Sequence, residues 1–525
     1  MSPIAMQHKL PIGIQDFESL VNDNYLYVDK TAAMYQLTSS GRYYFLSRPR
    51  RFGKSLLLST IKAYFLGKRH LFKGLAVEQL ENDWAAYPVL HLDLNTGSYG
   101  SYEGLCDVLS YHFSEWERQY GVERITDDLS LRFRNLITSI SRQTGSRVVI
   151  LVDEYDKPLL YALDDEALQE RFRQLLKAVY SVLKTCDEYI RFAFLTGVTK
   201  FSRVSIFSDL NNLQDISLDE RYASVCGITL YELQGVLRPY VEAFAEKEGV
   251  SVAEMLDELR KMYDGYHFSK DLSVDIYNPF SLLNALDKQS LENFWFESGT
   301  PSFLLSMLQN YNYHLQDFSE AEIVAQSLSG KENIANEPTA LFYQTGYLTI
   351  KGFDREFGNY RLGFPNREVE KSFMNYLLPQ YMRVDENKSA FFIERFVNDL
   401  RTGAIDSFME RMKVMFAGTP YDLIKNLENH YQNVIFIVSK LLGYIVEAEY
   451  KTSNGRIDMT VRTKEYIYLF EYKFDRSAEE ALNQINEKEY LLPFSLNDQV
   501  PIKIGVSFSS KTNNIEEYLV ERKVL

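Results

Sequence analysis

Val148-Val149-Ile150-Leu151-Val152-Asp153-Glu154 is an unbroken apolar run that ends in two carboxylates. Its largely β-branched character, without polar alternation, predicts a strand buried on both faces. Working outward, Tyr43–Leu46, Val89–Asp93 and Phe192–Leu195 read as further apolar strands. Between them lie segments with apolar residues at helical spacing, the first of them Lys54–Leu66. Strands that alternate with helices in this way predict an α/β fold with a parallel sheet and helices on both of its faces. After about residue 230 the pattern becomes mostly helical, broken by short strands such as Tyr347-Leu348-Thr349-Ile350. From about residue 400 an α/β pattern returns, with a helix over Asp422–Leu442, strands at Ile457–Val461 and Tyr466–Tyr472, a helix at Ala478–Tyr490 and a strand at Ile502–Phe508. Neither internal repeats nor low-complexity linkers interrupt the chain.

The acidic strand has a counterpart about a hundred residues upstream. Ser47-Arg48-Pro49-Arg50-Arg51-Phe52-Gly53-Lys54-Ser55 follows one predicted strand and opens a helix, which is the setting of a phosphate loop. N–H groups at a helix N-terminus cradle phosphate oxygens, and the helix dipole adds to the attraction. Lys54 is placed to reach the β- and γ-phosphates of a nucleotide, and the Ser55 hydroxyl to ligate Mg²⁺. Asp153 is placed to hold that Mg²⁺ through water, and Glu154 to polarise a hydrolytic water. The usual first glycine of the motif falls at position 48, where this chain has Arg48. Thr196, Thr199 and Arg203 follow the Phe192–Leu195 strand and read either as sensors of the γ-phosphate or as a polar turn. The expected nucleotide site comprises Arg48, Arg50, Arg51, Phe52, Gly53, Lys54, Ser55, Leu56, Asp153 and Thr196, with ATP and Mg²⁺ as cofactors.

YVDKT (27–31), RPRRFGKSL (48–56), LVDEYDKPL (151–159), FLTGVTKFS (194–202), MYDGYHF (262–268), IYNPFSLL (276–283) and TGYLTI (345–350) together resemble the bacterial AAA-ATPase-like family. In that family the loop is usually written RPRRFGKS, so Arg48 fits the family while departing from the general motif. The resemblance covers most of residues 5–370 and implies a P-loop ATP-binding domain over 1–230 followed by a mostly helical lid or middle region over 231–385. MYDGYHF and YNPF read as structural, with tight turns at Gly265 and Pro279 beside packed aromatics.

The last quarter carries a second chemistry. Residues 455–473 read GRIDMTVRTKEYIYLFEYK. Asp458 falls inside one predicted strand and Glu471-Tyr472-Lys473 ends the next. Residues two apart share a strand face, so Glu471 and Lys473 project together, and pairing of the two strands brings in Asp458. Two carboxylates in a cleft suit a hard divalent cation such as Mg²⁺ or Mn²⁺. Lys473 is then placed to orient or deprotonate a water, and Gln484, one helix further on, to position Lys473 or a backbone phosphate. GRIDMTV, EYK and ALNQINEKEY resemble the PD-(D/E)XK nuclease superfamily, in the branch commonly fused to this ATPase-like module. Glu428, within LENHYQ, matches an acidic position that the superfamily often places before the core strands. Ile457 stands where a proline precedes the aspartate in the general motif. The resemblance implies a restriction-endonuclease-like α/β domain over 386–525.

Bulk properties bound the rest. At 525 residues the chain is too long for one core. The net charge of −15 argues against a surface that grips nucleic acid throughout, but residues 401–525 hold 16 Lys/Arg against 18 Asp/Glu, a near balance that permits a nucleic-acid contact there. Cys106, Cys186 and Cys226 are far apart and match no zinc spacing, which fits a reducing compartment. The opening residues lack the basic start and apolar run of a signal peptide, and no apolar stretch is long enough to span a bilayer. The expectation is a cytoplasmic protein without a membrane partner. ATPases of this kind often complete their sites with a neighbour's arginine, so a homo-oligomer is a possible state. No such finger stands out in the sequence, and Arg50 and Arg51 lie in the loop itself.

The sequence-level expectation is an ATP-binding and ATP-hydrolysing protein with a metal-dependent nuclease domain that acts on nucleic acid, DNA favoured, through Glu428, Asp458, Glu471, Lys473 and Gln484. The architecture suggests a role in defence or mobile-element biology. Two alternatives stand beside it: a nucleotide-regulated switch whose nuclease-like domain binds without cleaving, and an ATPase motor that carries the nuclease fold as a passenger.

Overall fold

Five strands, β1 (Tyr43–Ser47), β2 (Val89–Asp93), β3 (Val148–Asp153), β4 (Ile190–Gly197) and β5 (Gln214–Asp215), form a sheet in the order β2-β3-β4-β1-β5. Every neighbouring pair is parallel. The computed structural model describes residues 8–200, 207, 212–295, 308, 314–319, 321–328, 338–382, 386–417, 427–443, 447–450, 457–491 and 499–522. All six residues of β3 are buried, because the sheet extends on both sides of it and helices supply the crossovers that parallel pairing requires. One such helix, Glu166–Thr185, buries Phe172, Leu176, Val179 and Leu183, a stripe at helical spacing, and begins on Asp165, whose side chain accepts from the Leu168 N–H. Strand β4 separates β1 from β3. The register Ser47↔Gly197 and Val152↔Leu195 sets the C-terminal ends of the three strands side by side.

The chain forms two compact units, one from Met1–Met307 with Glu320–Glu368, the other from Leu308–Ser319 with Val369–Leu525. In the first unit, helices Arg238–Glu248, Val252–Tyr263 and Pro279–Lys288 share a core of Leu237, Val241, Phe244, Leu259 and Leu282, to which Leu10 and Leu26 also contribute. Short strands β6 (Ile228–Thr229) and β7 (Ile276–Tyr277) pair antiparallel beside it. Strands β8 (Ala321–Val324), β9 (Thr349–Phe353) and β10 (Asn359–Gly363) make a small antiparallel sheet in the order β8-β10-β9. The strand expected at Tyr347–Ile350 thus starts two residues later. Gly265, expected at a tight turn, has φ +91° just beyond helix Val252–Tyr263, on the way into the Tyr266↔Ile276 bridge, with no turn at that point. Pro279 instead opens a helix as its first residue, capped by the Asn278 side chain, because proline's fixed φ suits that position.

In the second unit β11 (Glu447–Tyr450), β12 (Met459–Arg462), β13 (Tyr466–Phe474), β14 (Val500–Ser509) and β15 (Asn514–Arg522) form a mixed sheet in chain order. Only β13 and β14 pair parallel, and helix Ala478–Glu487 connects them. That helix lies tight against the sheet at Gly505, where a Cβ would meet the Ala478 carbonyl oxygen at 2.3 Å. Helix Leu427–Gly443 is buried along most of its length. The helix expected to start at Asp422 begins at Leu427 among the described residues, and 421–426 lie outside them. Asp458 stands just before β12 and not within it, because the pairing with β13 begins at Met459.

Candidate nucleotide and metal sites

The first site is assembled where β1 passes into helix Lys54–Phe65. Gly53 caps that helix with φ +90° and open space where a Cβ would be, so backbone conformation is what demands glycine here. Lys54 is almost fully buried; its ammonium donates to the Arg48 and Pro49 carbonyls at 3.0 and 3.2 Å and lies 3.3 Å from the Glu154 carboxylate. The Ser55 hydroxyl donates to Asp153 Oδ2 at 2.5 Å, and the Thr196 hydroxyl to Asp153 Oδ1 at 2.7 Å. Phosphate loop, acidic strand and β4 are thus tied together at one carboxylate. The donor set fits Mg²⁺, since a hydroxyl and a carboxylate are hard oxygen ligands already in contact. A cleft of about 1040 Å³ opens over this point, and its walls include Arg50, Arg51, Gly53, Lys54, Ser55 and Glu154.

Other loop residues are used differently from the sequence expectation. Arg48 points into the protein. Its guanidinium donates to the carbonyls of Ser47, Ser217 and Tyr222 at 2.9, 2.7 and 3.2 Å and lies 4.0 Å from the Phe268 ring centroid. It is 1% exposed and does not line the cleft, so its side chain is a structural cation and not a phosphate ligand. The Phe52 side chain is likewise buried, edge-on to Tyr266 and Phe268, although Phe52 borders the cleft as Leu56 does. Tyr266 and Phe268 of MYDGYHF therefore pack beneath the loop. Thr196 has no exposure, so it orients Asp153 and does not reach toward a γ-phosphate; Thr199 is turned to Asp156. Arg203 lies outside the described residues.

Asp156 is a residue that motif reading passed over. Fully buried, it accepts from the N–H groups of Val198 and Thr199 and from the Thr199 hydroxyl, and so fixes the segment after β4 against the acidic strand. Burial, and then the Glu154 charge, push its pKa up to about 6. The run Asp153-Glu154-Tyr155-Asp156 displayed it, but only the fold gives its third carboxylate a partner.

The second site lies where β12 and β13 meet helix Ala478–Glu487. The Tyr472 N–H donates to Asp458 Oδ2 at 2.9 Å. Lys473 donates from its ammonium to Glu471 Oε1 at 2.9 Å and to Gln484 Oε1 at 2.7 Å, and the Gln484 amide closes the ring by donating to Glu471 Oε1. Glu471 and Lys473 of β13 and Gln484 of the helix thus form one ring, and Asp458, just before β12, is held to the same strand by the Tyr472 N–H. Glu471 is 1% exposed, and its Oε2 has no hydrogen bond of ordinary geometry among the described residues, the Asp458 N–H only approaching the carboxylate. Burial, and then the charge of Glu471, push the Asp458 carboxyl up to about 7; burial raises Glu471 as well. Two crowded carboxyls with an unused buried oxygen fit a divalent cation, which would relieve both effects. Glu428 stands in the first turn of helix Leu427–Gly443 and is exposed, whereas Asn429 and His430 beside it are buried.

A parallel sheet with a Gly-Lys-Ser loop and an acidic strand, followed by a mixed sheet with an Asp, Glu-x-Lys cluster, defines a nucleotide-binding ATPase-type protein with a nuclease-type domain. Family models agree: residues 11–207 match the AAA-ATPase-like family, described as predicted AAA-ATPase, and residues 426–518 match the PD-(D/E)XK nuclease superfamily. A relative from Azotobacter chroococcum mcd 1, described as an uncharacterized protein in the vnfD 5′ region, is 36% identical over 98% of this chain and 99% of its own length. The chain belongs to the AAA-ATPase-like family, in the form that carries a C-terminal PD-(D/E)XK nuclease superfamily domain. Among solved structures, the Aeropyrum pernix ORC2 protein (ADPNP–ADP complexes) aligns at TM-score 0.26 and 10% identity over 66% of this chain and 93% of that one, too remote to carry an argument. No helix among the described residues is long and apolar enough to cross a membrane.

Proposed function

We propose that the chain binds and hydrolyses ATP in the cleft over Lys54 and cleaves phosphodiester bonds of nucleic acid, DNA favoured, at Asp458, Glu471 and Lys473. The observation that carries the nuclease reading is the closed Lys473–Glu471–Gln484 ring beside Asp458, with one buried carboxylate oxygen left unused. A binding-only domain has no need of such an arrangement. Asp458 and Glu471 would hold Mg²⁺ or Mn²⁺, which supplies charge neutralisation at phosphorus when bound. Gln484 fixes the Lys473 side chain at the rim, where its ammonium orients an attacking water, or its amine, once deprotonated, takes up that water's proton. Glu428, exposed on its helix, is the further carboxylate of this reading. At the other site Lys54 receives the β- and γ-phosphates, Ser55 and Asp153 hold Mg²⁺, and Glu154 polarises water.

Nicking of supercoiled plasmid with Mg²⁺ or Mn²⁺, with and without ATP, tests the proposal. Asp458→Ala and Lys473→Ala are expected to lose nicking by about 100-fold or more. Equal activity in wild type and both variants would remove the nuclease reading and leave a domain that binds without cutting. Lys54→Ala is expected to abolish ATP binding while Asp458→Ala retains it.

A further inference from the structure

We propose that Arg51 is a phosphate-gripping fork supplied by the chain's own loop, and that Phe280 is the positioning residue that aims it. The inference rests on reading the cleft as an ATP site. Arg51 has φ +69°, the left-handed region that favours glycine. An arginine kept in a glycine's conformation, in the loop that carries Lys54, points to a use for its side chain.

The surroundings say what that use is. The Arg51 guanidinium stacks on the Phe280 ring, 4.2 Å from its centroid, and both residues line the cleft with Gly53, Lys54 and Ser55. Stacking occupies the face of the planar cation and leaves its N–H edge open for a bidentate acceptor. Among the described residues that edge has no hydrogen-bond partner. Arg48 differs, being spent on three carbonyls inside the fold, whereas Arg50 also lines the cleft and is anchored through its backbone carbonyl, which accepts from the Trp295 indole N–H at 3.4 Å. Phe280 sits in the first turn of helix Pro279–Lys288, whose start is fixed by Pro279 and the Asn278 cap, so the ring is a rigid platform. Partial burial, and then the charge of Arg50, lower the Arg51 pKa, an effect that an anion in the cleft would offset.

Equilibrium ATP binding and the ligand-free melting temperature of the full chain test this. Arg51→Gly suits the backbone conformation and removes the side chain with its guanidinium. It is expected to weaken ATP by about 10- to 100-fold without lowering the ligand-free melting temperature. Arg51→Lys keeps the charge but not the fork and is expected to recover only part of the loss. Phe280→Leu is expected to weaken ATP by about threefold and Phe280→Tyr to restore it. Wild-type ATP affinity in Arg51→Gly would overturn the inference, as would a loss accompanied by a lowered melting temperature. If wild type binds ATP, Lys54→Ala does not, and Arg51→Gly matches wild type, the Arg51 inference alone falls. If wild type binds no ATP, the nucleotide reading falls with it.

Discussion

Asp458 links proton and metal at the C-terminal cluster. Its carboxyl is raised to about 7, first by burial and then by Glu471, so below that pH it carries a proton in the metal-free protein. A ligating carboxylate must lose that proton, so Mn²⁺ or Mg²⁺ affinity should fall about tenfold per pH unit below 7 and level off above it. Calorimetric titration of the full chain at pH 6, 7 and 8 reads this directly; affinity that is flat across the range would contradict the assignment. The same shift has a stability consequence of opposite sense. Because the folded state holds the Asp458 proton more tightly than the unfolded chain does, stability of the metal-free protein should decline as pH rises from about 4 to about 7. Asp458→Asn removes that charge and should stabilise the metal-free protein at pH 8 by up to about 4 kcal/mol, measured by denaturant unfolding.

Within the phosphate-loop element, motif reading and structure agree on some residues and part on others. The grouping of Gly53, Lys54, Ser55, Asp153 and Glu154 was legible because it depends on close covalent neighbours and on the C-terminal ends of two strands of one parallel sheet. Arg48 was not, since its acceptors include Ser217 and Tyr222, 169 and 174 residues further along the chain. The hydroxyl of Thr196 was ambiguous for a similar reason: only the β3–β4 register shows that it faces Asp153. At the second site, spacing alone put Glu471 and Lys473 on one face, while Gln484 needed the packing of helix Ala478–Glu487 against the sheet to reach them. The arginine at 48 yields a prediction for the loop. Arg48→Leu, or Arg48→Gly in the manner of the general motif, leaves three carbonyls without their donor and should destabilise the protein by roughly 3 kcal/mol. A lowered urea midpoint would bear this out. Unchanged stability with much weaker ATP binding would return Arg48 to the phosphates.

At the scale of the molecule, the two candidate sites lie in different compact units, each with its own buried core. The nucleotide cleft draws on the loop and helix after β1, on Glu154 just after β3 and on the helix starting at Pro279, all in the first unit; the Asp458 cluster draws on the residue before β12, on β13 and on helix Ala478–Glu487 in the second. A ligand that binds only the native form raises stability by RT ln(1 + [L]/Kd), about 2.7 kcal/mol at a hundredfold excess over Kd, and the gain belongs to the unit that unfolds with the site. Chains with several cores need not melt in one step. Scanning calorimetry of the full chain should therefore resolve two transitions, with ATP and Mg²⁺ raising one by several degrees. Lys54→Ala should cancel that shift alone. Mn²⁺ should raise the other transition, and Asp458→Ala should cancel that one. A single transition that moves as a whole with either ligand would mean that the chain unfolds cooperatively, and that nucleotide in the first unit is felt at the nuclease cluster through the stability of the native state itself.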